Sequence, residues 1–401
     1  MRLAHRLDLG SHAIGGPVEL RTGLDVAGTG YSEALGGCEM RGDWADLSAV
    51  PGIGSSWAHG GLAATPAGGV IGFHAGQLVT FDEQGLVGQV VATELVEGHG
   101  LTLVGEGQEV WLWVCDPGFA FVCSGDEGLA ALFGKGVRQV TGAPRVVKMR
   151  LDGEVVAELP QPTADSGDLA GSMGGSYAPT ATAVDEERFG GTGDVWVADG
   201  YGSSLVHRFD SSGRHVSVLS GEEGAGRFDC PHALLVDRRR ATIPKLYVTD
   251  RGNRRVQVYD LEGRYLRSFG EGVLNSPSAL ARWGELLVVA ELFGRLAVFD
   301  ATDRFVGYLG AGPDADVDRD RGWPARPGWP NDLSTEGRAT PPAAGPGGFT
   351  APHSLAADAG GNLYVSEWLL GGRYHKVTGL PVQHTGHRPT AREGAERQCG
   401  T

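Results

Sequence analysis

Three histidines, His99, His232 and His353, carry the clearest chemical signal in this 401-residue sequence. Two of them follow a proline directly, in Pro231-His232-Ala233-Leu234 and Pro352-His353-Ser354-Leu355, and His99 opens a comparable run, His99-Gly100-Leu101-Thr102. Neutral imidazole is the commonest side-chain ligand for transition metals. Three of them leave a coordination position open for water or substrate, as in catalytic metal sites. Zinc suits three neutral imidazoles, and iron, copper, cobalt or nickel fit the same donors. A lone histidine would read as a loop cap or a core filler. Three at one repeated position read as ligands, provided the fold brings distant segments to one point.

The elements that would do this form a recurring unit, clearest from Phe228 to Gly270. It opens with Pro231 to Asp237, continues with Lys245 to Asp250 and Val256 to Asp260, turns at Leu261-Glu262-Gly263 and closes with Arg264 to Gly270. Apolar residues alternate in each segment and Gly, Asp and Asn fill the turns, the pattern of four short antiparallel strands. The unit recurs from Pro179, Pro277 and Pro352, and in weaker form from Gly60 and from His99. In the His99 unit, Val110 to Cys115, Phe119 to Val122, Arg145 to Leu151 and Glu154 to Leu159 read as strands. A four-stranded unit of roughly 40 residues is the blade period of a propeller, in which each blade buries its faces against its neighbours.

The expected fold is therefore an all-β, six-bladed β-propeller with loop insertions, in one domain spanning 1–401. The blades fall roughly at 51–93, 94–160, 177–220, 228–270, 274–310 and 349–380, with the N-terminal segment 1–50 as a candidate to close the ring. Two insertions interrupt the pattern. Residues 124–142 read as partly helical, with Leu129, Leu132 and Phe133 on one apolar face, and residues 312–348 read as a long surface loop. Asp314, Asp316, Asp318 and Asp320 in that loop are a candidate structural Ca2+ site, although the glycine and terminal glutamate of an EF-hand are missing.

The position after the usual proline is Gly60, His99, Thr180, His232, Ser278 and His353 in blades one to six. Histidine thus occupies alternate blades, roughly 120° apart around the axis of a six-bladed ring. His59, His74, His207 and His375 fall outside this register and read as ordinary polar residues, with His74 near the channel.

Composition narrows the partners. Hydrophobic residues make up 41%, enough for a large core, and 66 glycines fit a chain of many tight turns. A formal net charge of -15 argues against nucleic-acid binding, which needs clustered cations. The sequence shows neither a signal peptide nor an apolar run of the ~20 residues that span a membrane. The five cysteines lack CxxC spacing and read as reduced thiols of a cytoplasmic protein, a Cys115–Cys123 bridge being the alternative.

These units resemble NHL-repeat propellers and, within them, peptidyl-hydroxyglycine alpha-amidating lyase, over roughly Gly60 to Val377. The resemblance is most specific at Val197-Ala198-Asp199-Gly200-Tyr201, Phe228-Asp229-Cys230-Pro231-His232-Ala233-Leu234, Val248-Thr249-Asp250-Arg251 and Ala351-Pro352-His353. It implies a six-bladed propeller with zinc on His99, His232 and His353, a catalytic tyrosine at Tyr201 and an active-site arginine at Arg251. This chain departs from the family where Ala75 replaces an arginine, Ser354 an acidic residue tied to structural calcium, Ala351 a methionine and Gly202 one of a pair of cysteines. The resemblance therefore implies a retained metal cage with an altered substrate apparatus.

In chemical terms, Tyr201 beside a cation could accept a proton, and Arg251 could bind a carboxylate or developing negative charge. The plainer roles are packing over a blade mouth for Tyr201 and an inter-blade salt bridge for Arg251. The expected function is a metal-dependent lyase or hydrolase acting on a small molecule or modified peptide with a carbinolamide-like or carbonyl group. The alternatives are a metal-assisted cyclase or isomerase of specialised metabolism, and a non-enzymatic NHL-type propeller that docks a protein partner.

Overall fold

The computed structural model describes residues 37–106, 109–124, 133–162, 175–239, 243–312, 315, 323–343 and 348–379. Six four-stranded antiparallel sheets form a six-bladed propeller. Blade I comprises Leu62–Ala64, Val70–His74, Gln77–Phe81 and Val87–Ala92, and blade II Gly100–Glu106, Glu109–Asp116, Arg145–Met149 and Val155–Glu158. Blade III comprises Ala181–Val184, Val195–Asp199, Leu205–Phe209 and His215–Leu219, and blade IV Pro231–Asp237, Lys245–Asp250, Arg255–Tyr259 and Tyr265–Phe269. Blade V holds Pro277–Trp283, Leu286–Glu291, Arg295–Phe299 and Phe305–Leu309. Blade VI takes Pro352–Ala357, Leu363–Glu367 and Arg373–Thr378 from the end of the chain and its outermost strand, Glu39–Arg41, from near the start, paired antiparallel to Arg373–Thr378.

Burial along each blade explains why the sequence alternates in some strands and not in others. Second strands are sandwiched between neighbouring blades, so Val195–Asp199 and Leu286–Glu291 are buried at every residue. Outer strands face water on one side, and His215–Leu219 shows the period-two pattern that follows. Six apolar clusters each fill the gap between two adjacent blades. Ile71, Phe73, Leu112, Val114 and Val147 join blades I and II, for example, while Trp283, Val288, Leu355 and Val365 join blades V and VI.

A buried acid ends the second strand in five blades and staples the loop that leads into the inner strand. Asp116 accepts the Val96 N–H at 2.7 Å, Asp199 that of Ala178 at 2.6 Å, Asp250 that of Asp229 at 2.8 Å and Glu367 that of Ala351 at 3.0 Å. Glu291 does the same for Asn275. Blade I has His74 in this slot, with Nε2 3.4 Å from the Ser56 carbonyl oxygen. These bonds fix the loops from which the site residues project.

Two sequence expectations need correction. Phe119–Cys123 is not a strand of blade II; it pairs with Val137–Thr141 in a separate hairpin, and the third strand is Arg145–Met149, alongside Glu109–Asp116. The break comes at Asp116-Pro117-Gly118, where Asp116 accepts the Gly118 N–H at 2.8 Å and Gly118 takes φ 80°. Of 124–142, Phe133 is helical and Val137–Thr141 is strand, while Leu129 and Leu132 lie outside the described residues. The 312–348 insertion contains a short hairpin, Asp332–Leu333 with Ala339–Thr340. Asp314, Asp316, Asp318 and Asp320 lie outside the described residues. Cys38, Cys115, Cys123 and Cys230 are not joined in disulfides, and no described helix is long and apolar enough to cross a membrane.

Candidate metal centre

The inner strands place the three register histidines around the propeller axis. Ring centroids are 4.9 Å apart for His99 and His232, 4.8 Å for His99 and His353, and 5.1 Å for His232 and His353, and all three side chains are buried. A hydrogen-bond circuit between blades sets their orientation. His99 Nδ1 lies 2.7 Å from the Thr180 carbonyl oxygen, and His232 Nδ1 lies 2.6 Å from that of Ser278. Thr180 in turn donates its hydroxyl to Pro231 O at 3.2 Å and Ser278 to Pro352 O at 3.1 Å. In the last blade Ser354 donates to Gly60 O at 3.1 Å, which closes the circuit. The alternation of histidine with small hydroxyl residues thus works as a relay in which His99 and His232 are each anchored by the backbone of the blade that follows, while His353 Nδ1 meets only the neighbouring Ser354 Oγ, at 3.5 Å.

A carbonyl oxygen only accepts, so His99 and His232 carry their protons on Nδ1 and present bare Nε2 lone pairs. Both nitrogens point at one phenol: Tyr201 Oη lies 3.2 Å from His99 Nε2 and 2.9 Å from His232 Nε2. His353 Nε2 is buried without a partner. Burial drives His232 and His353 well below the usual histidine pKa and His99 down to about 3. All three are therefore neutral at physiological pH, the state a metal requires. Burial also pushes the Tyr201 phenol up to about 12, against the pull of the Arg251 guanidinium.

Arg251 immediately follows the stapling acid of blade IV. Its Cζ lies 5.3 Å from the centre of the Tyr201 ring, and its Nη1 is buried without a hydrogen-bond partner. The fold thus brings His99, His232, His353, Tyr201 and Arg251 into one neighbourhood.

One residue of this neighbourhood escaped the sequence pattern. His59 is buried, with ring centroids 4.5 Å from His99 and 4.6 Å from His353, and its Nε2 lies 3.2 Å from Tyr201 Oη. His59, His99 and His353 each offer a nitrogen within 4.8 Å of the others. It stands one residue ahead of the register because Gly60 cannot hold a side chain: a Cβ there would sit 2.1 Å from the Phe73 carbonyl oxygen. A histidine beside the one glycine in the register column was the available signal. The remaining described histidines lie elsewhere. His74 fills the staple slot of blade I, His207 bonds His215 at 3.2 Å, and His375 pairs with Glu367 at 2.9 Å.

The two faces of the cluster differ. Below the histidines, the inner strands leave a cavity of about 80 Å³, lined among others by Leu101, Thr182, Leu234 and Leu280. That is small beside the ~300–1,000 Å³ of ordinary ligand pockets. On the other face, a seventh apolar cluster covers the site instead of joining two blades, and Tyr201 belongs to it. Trp57 and Trp368, 5.2 Å apart, form its centre, with Phe121 and Phe133 from the hairpin insertion and Trp329 from the later one. The two insertions are joined by a Lys135 N–H to Gly337 carbonyl bond of 2.8 Å. His59 touches this aromatic layer through Trp368, at 5.7 Å.

No protein-family profile matches the chain. NHL repeat-containing protein 3 is 32% identical over 128 residues in Homo sapiens and 31% over 116 residues in Mus musculus, covering 30% and 27% of this chain. The match spans about a third of the length of those relatives, 35% and 32%. A solved protein of unknown function from Bacteroides thetaiotaomicron aligns over 85% of this chain and 76% of its own, at 14% identity and TM-score 0.51. Virginiamycin B lyase from Staphylococcus aureus aligns over 85% of this chain and 99% of its own, at 12% identity and TM-score 0.47. The chain is therefore a six-bladed β-propeller with NHL-type sequence similarity across part of its ring.

Proposed function

We propose that this protein is a metal-dependent lyase or hydrolase whose ion sits on His99, His232 and His353. One observation carries the reading: the hydrogen bonds at Tyr201 do not close without a cation. Two imidazoles with protons committed to Nδ1 present lone pairs to a phenol that has a single proton to give. One lone pair is left facing oxygen in a buried setting, and His353 Nε2 has no partner. Unsatisfied buried acceptors cost on the order of 1–3 kcal/mol each, and a shared cation would satisfy them together.

The donor set of neutral nitrogens, with the Nδ1 protons of His99 and His232 anchored on backbone carbonyls, fits a transition metal, zinc or a neighbour in the series. Such an ion, when bound, supplies Lewis acidity to a carbonyl or hydroxyl oxygen. The remaining chemistry belongs to the chain. Tyr201 stands where it can take or return a proton, and nearby positive charge makes its phenolate more accessible. Arg251 offers a buried Nη1 with no partner of its own, suited to a substrate carboxylate or to negative charge building on oxygen. The aromatic cover restricts water at this face and favours a substrate with apolar surface. These features support a carbonyl or carbinolamide-like substrate, small or peptidic, in line with what the sequence resemblance to peptide-amidating lyases implies.

The test is elemental analysis of the purified wild type and of His232→Ala. The expected result is near-stoichiometric transition metal in the wild type and its loss in the variant. A wild type that takes up none, even after reconstitution, would overturn the enzyme reading in favour of a binding propeller. Once a substrate is found, Tyr201→Phe should keep the metal and lose on the order of 100-fold or more in kcat.

A further inference from the structure

We infer that His59 is a fourth imidazole ligand, and that the centre is built for an ion taking five or six ligands rather than for tetrahedral zinc. The inference rests on the metal-site reading above and extends it to a residue outside the blade register. His59 shares its environment with His99 and His353, the two histidines whose ligand nitrogens lie within 4.8 Å of its own. It is buried, its Nε2 lies 3.2 Å from Tyr201 Oη, and this is the same phenol oxygen that His99 and His232 approach. Its ring lies 4.5 Å from His99 and 4.6 Å from His353, closer than the register histidines lie to one another. Its Nδ1 is buried without a partner, so the neutral ring lacks the carbonyl that would fix its tautomer.

Hydrogen-bond accounting argues against a purely packing role. The single proton of Tyr201 already faces two bare nitrogens, and His59 Nε2 adds a third contact to the same oxygen. A packing residue in an aromatic layer would more cheaply be apolar, since the neighbouring Phe119, Phe121 and Trp368 offer His59 no acceptor. An ion held by these nitrogens at ~2.1 Å would draw them together.

The consequence concerns which metal the site takes. Three histidines on zinc leave the fourth tetrahedral position for substrate, but four histidines fill it. Activity would then need an ion that accepts a fifth or sixth ligand, as first-row ions such as Fe(II), Co(II) and Ni(II) do.

The experiment loads the full-length protein with Co(II) and records its visible spectrum and its affinity, for wild type, His59→Ala, His59→Gln and His232→Ala. Tetrahedral Co(II) absorbs strongly in the visible and five- or six-coordinate Co(II) weakly. The expected result is a weak wild-type band, several-fold stronger absorption in His59→Ala as the shell contracts, and at least tenfold weaker binding in both His59 variants. Circular dichroism establishes that each variant is folded. Identical spectra and affinities for wild type and the His59 variants would overturn the inference while leaving the three-histidine reading intact. An intense tetrahedral spectrum in the wild type would overturn it even if both variants misfolded. A wild type that binds no cobalt or other transition metal would remove the metal-site reading, and the inference with it.

Discussion

His232 Nδ1 and the carbonyl oxygen of Ser278, 2.6 Å apart, join the centre of blade IV to the centre of blade V. The bond does two things. It spends the one proton of a neutral imidazole on structure, and it turns the opposite nitrogen into a bare donor aimed at the axis. His99 and Thr180 repeat the relationship between blades II and III. The same contacts that hold the ring together therefore prepare the ligands.

Because the acceptor is backbone, the side chain of Ser278 should matter little to the metal. Ser278→Ala removes a hydroxyl bond of 3.1 Å to Pro352 O and leaves the carbonyl in place. The expected cost is about 1 kcal/mol of stability with unchanged metal stoichiometry, read by chemical unfolding and elemental analysis. A fall in metal content would show that the hydroxyl, not the carbonyl, orients His232.

Asp250 should be among the residues least tolerant of truncation. Its wholly buried carboxylate accepts the Asp229 N–H at 2.8 Å and bonds from Asn253 at 2.9 Å, Arg255 at 2.8 Å and Gln257 at 3.1 Å. Asp250→Ala strands these donors and releases the loop that leads into the His232 strand, next to Arg251. The expected loss is about 3–5 kcal/mol. Arg264→Ala, which breaks an exposed pair with Asp260, should cost less than about 1 kcal/mol. Equal losses in urea titrations of the two variants would contradict the staple assignment.

How far the sequence revealed this architecture depended on repetition. Pro231-His232 and Pro352-His353 could be aligned because each opens an inner strand of similar length and pattern, and so the three-histidine register was visible. His59 was hidden by backbone crowding at Gly60, which moves the side chain one residue off the column. Phe119–Cys123 misled because alternating apolar residues look alike in a blade strand and in a hairpin; only the turn after Asp116 decides the partner. The closing strand Glu39–Arg41 is three residues long and has no apolar alternation of its own, since its place is set by Arg373–Thr378 at the other end of the chain.

Acid should destabilise the fold partly through His207. Burial first, and then the neighbouring His215, lowers its pKa to about 4, against about 6.5 for the free side chain. Between these values the unfolded chain binds the proton and the folded chain does not, so stability falls as pH drops from about 6.5 and the loss is complete near pH 4. The full difference corresponds to about 3 kcal/mol. His207→Gln should flatten this limb in unfolding curves taken at pH 7, 5.5 and 4. An unchanged pH slope in the variant would mean that His207 titrates alike in both states.

The ring closure should be the weakest joint, because a single short strand and one tryptophan make it. Glu39–Arg41 pairs with Thr378, Val377 and Lys376, and three residues later Trp44 turns inward. Its N–H bonds Tyr374 O at 2.8 Å and its indole N–H bonds Glu83 O at 3.1 Å, so it ties blade VI to blade I. Its ring packs 4.8 Å from Tyr364 and 5.9 Å from Phe81 and is buried. Trp44→Ala should therefore cost about 3–5 kcal/mol, the range for large aromatic truncations. Removing residues 1–42 should act differently. It spares Trp44 but leaves Arg373–Thr378 as an open edge, an invitation to pairing between chains. The truncated protein should self-associate in size-exclusion chromatography at concentrations where Trp44→Ala stays monodisperse. If both variants melt like the wild type, the inter-blade packing alone must hold the ring, and the clasp would contribute little to stability.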